Sequence, residues 1–194
     1  ISDCLVGSEM CIRDSLKEFW HLGPEVNSDF DSRIHENINV DELSNFNDHF
    51  NTLFTALNHL GVKVLESIAL VLELPKDFFE EKVIRGNSTL RLLHYPPIES
   101  DENILRARAH ADINLITLLV GAEEGGLEVQ NKDDEWIPIK PNSNSIVCNI
   151  GDMMQLITEG NLKSTPHRVV EYSANDSKSR SVSYTHLRAH ETIA

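Results

Sequence analysis

From Ser88 onward the chain breaks into short apolar runs divided by turn-forming pairs, and this texture restricts the possible folds more than any other feature. Candidate strands are Thr89 to Tyr95, Ile113 to Val120, Gly126 to Gln130, Trp136 to Lys140, Ser145 to Asn149, Met153 to Thr158 and His167 to Tyr172. Pro96-Pro97, Gly125-Gly126, Asp133-Asp134, Pro141-Asn142, Gly151-Asp152 and Gly160-Asn161 separate them. Short strands at near-regular spacing predict a sandwich or jelly roll. Before Ser88 the period changes. Leu43, Phe46, Phe50, Leu53, Phe54, Leu57, Leu60, Val64, Leu65, Ile68 and Leu72 recur every three or four residues, the spacing of one helix face. Asp41 or Ser44 is expected to cap this helix and Pro75 to stop it; a second helix is expected over Lys76 to Val83, ended by Gly86-Asn87. Leu16 to Val40 is polar, clusters only Phe19, Trp20 and Leu22, and is expected to wrap over the rest.

The two ends of the chain differ from its middle. CLVGSEMCIRDS (Cys4 to Ser15) and VSYTHLRAHET (Val182 to Thr192) can be encoded by one DNA sequence read on opposite strands, a sequence like the adapter of a transposon-based sequencing library. They are therefore excluded from fold reasoning. The expected division is residues 1–15 adapter-like, 16–88 an N-terminal helical flank, 89–180 the β core and 181–194 adapter-like. On this reading the natural sequence is an internal fragment of about 165 residues, enough for most of one globular domain. Of three cysteines, Cys4 and Cys11 fall in the excluded stretch. Cys148 alone can form neither a disulfide framework nor a cysteine metal site, which points to a reducing, cytoplasmic setting. His186 and His190, an HxxxH pair, are accidental on the same reading.

The net charge is −14. A chain this acidic repels phosphate backbones, so nucleic acid is not expected as a partner. No uninterrupted apolar run reaches the roughly 18 residues a membrane span needs, so no membrane partner is expected either.

Chemistry concentrates in His110-Ala111-Asp112. Placed at the start of a strand, residues i and i+2 share a face, so an imidazole and a carboxylate would converge. His167, in Thr165-Pro166-His167-Arg168-Val169, lies 167 − 110 = 57 residues on, far enough for intervening strands to return it beside the pair. Two histidines and one carboxylate suit iron(II) and leave positions open; a zinc hydrolase could use the same ligands. On its own HxD is a weak motif, equally at home in a surface turn.

Its company makes it specific. RLLHYPP (Arg91 to Pro97), HADINLITLL (His110 to Leu119), GGLEV (Gly125 to Val129), IGDMMQLITEG (Ile150 to Gly160) and LKSTPHRVV (Leu162 to Val170), in this order, resemble the isopenicillin N synthase-like branch of the iron(II) and 2-oxoglutarate-dependent dioxygenases. KEFWHLG (Lys17 to Gly23) resembles a stretch of bacterial members. The resemblance implies a mainly β fold with flanking helices, a double-stranded β-helix core incomplete at both ends. It implies that His110, Asp112 and His167 bind Fe(II), and that Tyr95 helps hold the far carboxylate of 2-oxoglutarate. Where many plant members carry an asparagine two residues before that tyrosine, Leu93 stands here. The family's Arg-x-Ser carboxylate clamp has Arg180 as its candidate, a few residues further from His167 than usual, and the serine position is Val182. Arg168 is excluded by strand alternation.

The implied activity consumes O2 and 2-oxoglutarate, releases succinate and CO2, and hydroxylates, desaturates or cyclises a small-molecule substrate. The chain as given is expected to be a weak catalyst. Two alternatives stand beside this: an iron oxidase of the same fold that needs no 2-oxoglutarate, and a non-catalytic metal-binding domain or inert fragment. Cys148 is expected to be a buried small hydrophobe, Met153 and Met154 to fill the core rather than line a pocket, and His94 to point away from the face that Tyr95 uses.

Overall fold

A computed structural model describes residues 17–30, 34–96, 105–121, 125–170 and 180–188. Nine strands are described: β1 (Glu18–Leu22), β2 (Thr89–Tyr95), β3 (Leu105–His110), β4 (Ile116–Val120), β5 (Leu127–Gln130), β6 (Trp136–Pro138), β7 (Val147–Ile150), β8 (His167–Val170) and β9 (Arg180–Leu187). They form two antiparallel sheets, ordered β1-β2-β9-β4-β7 and β3-β8-β5-β6. This is the jelly roll that the strand spacing predicts, in the double-stranded β-helix form that the resemblance implies.

Helix α1 (Phe46–Val71) lies on the outer face of the larger sheet. Leu65 and Ala69 pack with Ile116, Leu118 and Leu187, and Phe54 and Leu57 with Leu22 and Leu90. Each large apolar side chain buried this way contributes roughly 1.5–3 kcal/mol. By length and composition α1 could cross a membrane. Its buried residues, Phe54, Leu57, Gly61, Leu65 and Ala69, face the strands, while Leu60, Leu70 and Val71 are exposed. The opposite face of the sheet carries Leu93, Tyr95 and Val182, with Leu119 and Tyr184 beside them. The Arg106 guanidinium on β3 stands 5.8 Å from the Tyr95 ring centre, so this second face looks toward the smaller sheet.

Several expectations give way. The helix starts after Asn45, a left-handed residue with no side-chain cap, so neither Asp41 nor Ser44 caps it. It ends four residues before Pro75. Glu73 adopts φ 58, with Leu74 N–H donating to Ala69 O (2.9 Å) and Glu73 N–H to Leu70 O (3.2 Å), a Schellman closure. The second helix is shorter than expected, α2 (Glu80–Val83). Met153 to Thr158 is not a strand but helix α3 (Asp152–Ile157). Met, Gln and Leu favour helix, and Met154, with Met153 and Ile157 beside it, covers the core at helical spacing. Part of Leu16 to Val40 forms edge strand β1, where Trp20 meets Phe46 edge-on at 6.3 Å. Cys148 is exposed, because β7 is an edge strand.

The largest difference concerns the end of the core. The expected boundary at residue 180 excludes Val182 to Thr192, yet Arg180–Leu187 occupies an inner place in the larger sheet, between β2 and β4. Ser, Val, Ser, Tyr, Thr, His and Leu alternate small or polar with larger residues, and valine, tyrosine and threonine suit a strand. Val182, Thr185, His186 and Leu187 are buried there. Whatever DNA encodes it, this segment has the pattern of a paired strand. Cys4 to Ser15 and His190 lie outside the described residues.

Candidate metal centre

His110 and His167 face one another as partners across the β3–β8 pair. The ladder slips twice on the way: Leu105 opposes Val170, Ala107 opposes Val169 and His110 opposes His167, so β3 carries extra residues. Bulges of this kind re-aim side chains, and the last one turns His110 onto His167, ring centres 4.4 Å apart. His110 therefore ends a strand rather than beginning one. Asp112 lies in the connection to β4, not on the same strand face as His110. The connection itself is pinned from α3 and the glycine before it: Asp152 N–H donates to Asp112 O (2.7 Å), Met153 N–H to Ile113 O (3.2 Å) and Gly151 N–H to Leu115 O (2.9 Å).

One ligand atom from each of His110, Asp112 and His167 lies within 4.8 Å of the others. Asp112 Oδ1 is 3.9 Å from His167 Nε2. Both imidazoles are oriented alike. His110 Nδ1 sits 2.7 Å from Arg108 O and His167 Nδ1 3.3 Å from Thr165 O, each a carbonyl two residues back. A carbonyl only accepts, so Nδ1 carries the proton and Nε2 keeps its lone pair for a ligand role. Partial burial lowers the His110 pKa, against the Arg108 carbonyl bond that raises it. Burial would raise that of Asp112, but attraction to His186 and His167 and the Thr117 hydroxyl bond hold it below the usual carboxylate range. An ionised carboxylate beside two imidazoles whose Nε2 atoms are left free by the carbonyl bonds on Nδ1 is a donor set ready for a divalent cation, and it fits iron(II).

Two further expected residues meet as backbone partners across the larger sheet. Tyr95 is buried, and Arg180 opens β9 directly opposite it. Val182, at the serine position of the clamp, is buried against Leu93 and Tyr95. Arg168 points elsewhere, donating to Glu128 Oε2 (2.7 Å) and standing 4.2 Å over the Trp136 ring. His94 faces away, 2.9 Å from Glu18 Oε2. Two residues that the sequence reading passes over, Asn114 and Thr117, are buried beside Asp112, and so is His186, which the adapter reading counts with His190 as an accidental pair. For the first two the available signal was polarity inside the apolar run INLITLL.

A sequence profile of the 2OG-Fe(II) oxygenase superfamily matches residues 86–188, slightly more than half the chain. The chain belongs to that superfamily. The oxygenase domain is 31% identical over 174 residues to the 2-oxoglutarate-Fe(II) type oxidoreductase hxnY of Emericella nidulans, covering 83% of this chain and 50% of that one. It thus spans about half the length of the curated relatives it matches. Among solved structures, a 2OG-Fe(II) oxygenase family protein from Caulobacter crescentus aligns with TM-score 0.85 and 42% identity, covering 97% of this chain and 63% of that one. A full-length Neurospora crassa protein, in complex with alpha-KG and 5-formyluracil, aligns with TM-score 0.81 and 30% identity over 91% of this chain and 58% of that one.

One consequence of the site can be checked without metal. Burial lowers the His186 pKa from 6.5 to about 3, against the attraction of Asp112, and that of His110 shifts the same way. Above pH 6.5 neither the folded nor the unfolded chain protonates these rings. Below it the unfolded chain takes up protons that the folded chain refuses, so stability is lost as pH falls from 6.5 toward 3. The thermal midpoint of the metal-free protein should fall steadily across a series from pH 7 to pH 4; a flat series contradicts these assignments.

Proposed function

We propose that the protein is a non-haem iron(II), 2-oxoglutarate-dependent oxygenase of a small organic molecule, with His110, Asp112 and His167 as iron ligands. The observation that carries this reading is the convergence of three ligand atoms within 4.8 Å, two of them imidazole nitrogens freed by carbonyl bonds on the opposite ring atom. Bound iron(II), 2-oxoglutarate and O2 would supply an oxidative decarboxylation to succinate and CO2 coupled to oxidation of a substrate C–H bond. The chain's own residues hold the parts in place. The β3 bulge and the α3 backbone bonds fix the ligands, Tyr95 offers a hydroxyl to the far carboxylate of 2-oxoglutarate, and Arg180 its cation. Leu93, Leu119 and Val182 keep water from the space between the sheets. The Neurospora relative held with 5-formyluracil supports a substrate of about that size. A reducing cytoplasm suits an iron(II) enzyme.

The test is anaerobic addition of Fe(II) and then 2-oxoglutarate. A bidentate 2-oxo acid on iron(II) gives a visible charge-transfer band, expected here and absent when Asp112 is replaced by alanine. No band with either Fe(II) or the pair rejects the reading.

Val182 favours a second reading, an oxidase of the same fold without 2-oxoglutarate, because a valine gives no hydrogen bond to a carboxylate. The two are separated by Val182→Ser. If Arg180 and position 182 form the clamp, the serine restores a bond to a charged group, worth about 1.5–3 kcal/mol, and half-saturating 2-oxoglutarate should fall at least tenfold. An unchanged value favours the oxidase.

A further inference from the structure

Asp112 has two carboxylate oxygens, and they meet different neighbours. Oδ1 is the one nearest His167 Nε2, at 3.9 Å. Oδ2 accepts a hydrogen bond from the Thr117 hydroxyl at 2.7 Å. Thr117 and Asp112 are both buried, 3% and 8% exposed, so water does not compete for this bond. A hydroxyl has one proton. Facing an ionised carboxylate, which only accepts, that proton belongs to Oδ2, and the hydroxyl oxygen is left as an acceptor.

Asn114 fills the donor role. Its Nδ2 donates to Thr117 Oγ1 at 2.9 Å, and His186 Nδ1 stands against both groups, 2.9 Å from the same Oγ1. The amide cannot turn over, because Oδ1 in place of Nδ2 would set two acceptors against each other. The Asn114 side chain in turn is set by its turn, where Gly151 passes so close that a Cβ would stand 2.6 Å from Asn114 Oδ1. A directed chain therefore runs from Asn114 through Thr117 to one oxygen of Asp112. It starts on the connection after β3, passes through the second residue of β4 and ends on the ligand.

We infer that Thr117, oriented by Asn114, is a positioning residue that holds Asp112 to one-oxygen coordination: it occupies Oδ2 and leaves Oδ1 alone for the metal. A carboxylate free to rotate can bind a metal through both oxygens and take one of the positions that the facial arrangement keeps open for cosubstrate and O2. Thr117 prevents this by a bond the carboxylate would have to break. The inference rests on the iron-site reading above, and Thr117 acts through Asp112 without touching substrate.

The experiment uses Mn(II) as probe on the full chain, comparing Thr117→Val, Thr117→Ser and Asn114→Ala with the unsubstituted protein. Valine keeps the shape of threonine and removes the hydroxyl. Two quantities are read: Mn(II) affinity, and the water-proton relaxation enhancement, which scales with the number of waters on the bound ion. With one-oxygen binding a six-coordinate ion keeps about three waters. Thr117→Val should lower the enhancement by about a third, as the second oxygen displaces a water, and change affinity within the roughly 10–100-fold range of ligand-orienting contacts. Thr117→Ser should restore both values, and Asn114→Ala should move them part of the way toward valine. Thermal midpoints within a few degrees of the parent separate this from unfolding. A valine variant with the parent's relaxation enhancement overturns the inference while the iron reading stands. Failure of the unsubstituted protein to bind Mn(II) overturns both.

Discussion

His167→Ala is expected to remove metal binding and turnover together. Its Nε2 is the ligand nitrogen nearest Asp112, and its ring is matched to His110 across the β3–β8 pair. Loss of a residue that only orients a ligand costs roughly 10–100-fold in affinity, so loss of a ligand itself should cost more. Equilibrium dialysis under anaerobic conditions should show about one iron per parent chain and close to none in the variant. Succinate release should fall to background in step. Because the residue is only 8% exposed, alanine also opens a void. His167→Gln, which keeps most of the volume, separates the two effects: it should fold like the parent and still bind iron poorly. Parent-like iron content in either variant would mean that the metal sits elsewhere.

Among the described glycines, Gly151→Ala should be the most damaging substitution. A Cβ at this position would stand 2.0 Å from the carbonyl oxygen of Asn114 and 2.7 Å from its carbonyl carbon. Backbone atoms cannot rotate away as a side chain can, so the two segments must separate. Three backbone bonds hold them together, from Gly151, Asp152 and Met153 to Leu115, Asp112 and Ile113. At about 0.5–1.5 kcal/mol each, losing them costs roughly 2–4 kcal/mol and frees the turn that carries Asp112. Thermal midpoint and Fe(II) affinity should therefore drop together. Gly160→Ala is the contrast. Its φ is +82 with nothing within 4 Å, so only left-handed strain of about 1–2 kcal/mol applies, and metal affinity should not change. A Gly151→Ala protein as stable as the parent would mean that the turn is not held as described.

Much of this architecture was legible in the residues themselves. β2 runs from Thr89 to Tyr95 as its alternation predicts, and α1 follows the three-and-four spacing to within a turn at each end. The triad was legible through the order of its surrounding motifs. What escaped has physical causes. Met153 to Thr158 is apolar and short, a length at which strand and helix patterns look alike, and its neighbours in space decided for the helix. The bulges in β3 exist only relative to β8, so no local pattern announces that His110 closes a strand. Thr117 lies in a strand where threonine is common, and its partner Asp112 is five residues away around a turn. The DNA that can encode β9 says nothing of that segment's capacity to pair.

The place of β9 also bears on the order of events when the chain is made. Its two neighbours in the sheet, β2 and β4, are complete by Val120, while β9 begins at Arg180, 180 − 120 = 60 residues later. Until those residues arrive, the larger sheet can exist only as two parts, β1-β2 and β4-β7, each with an open edge. Such edges invite pairing with other chains, and contacts this distant in sequence form slowly. Completion of the larger sheet is therefore a late insertion, and nascent or nicked chains lacking β9 should be the species that aggregate.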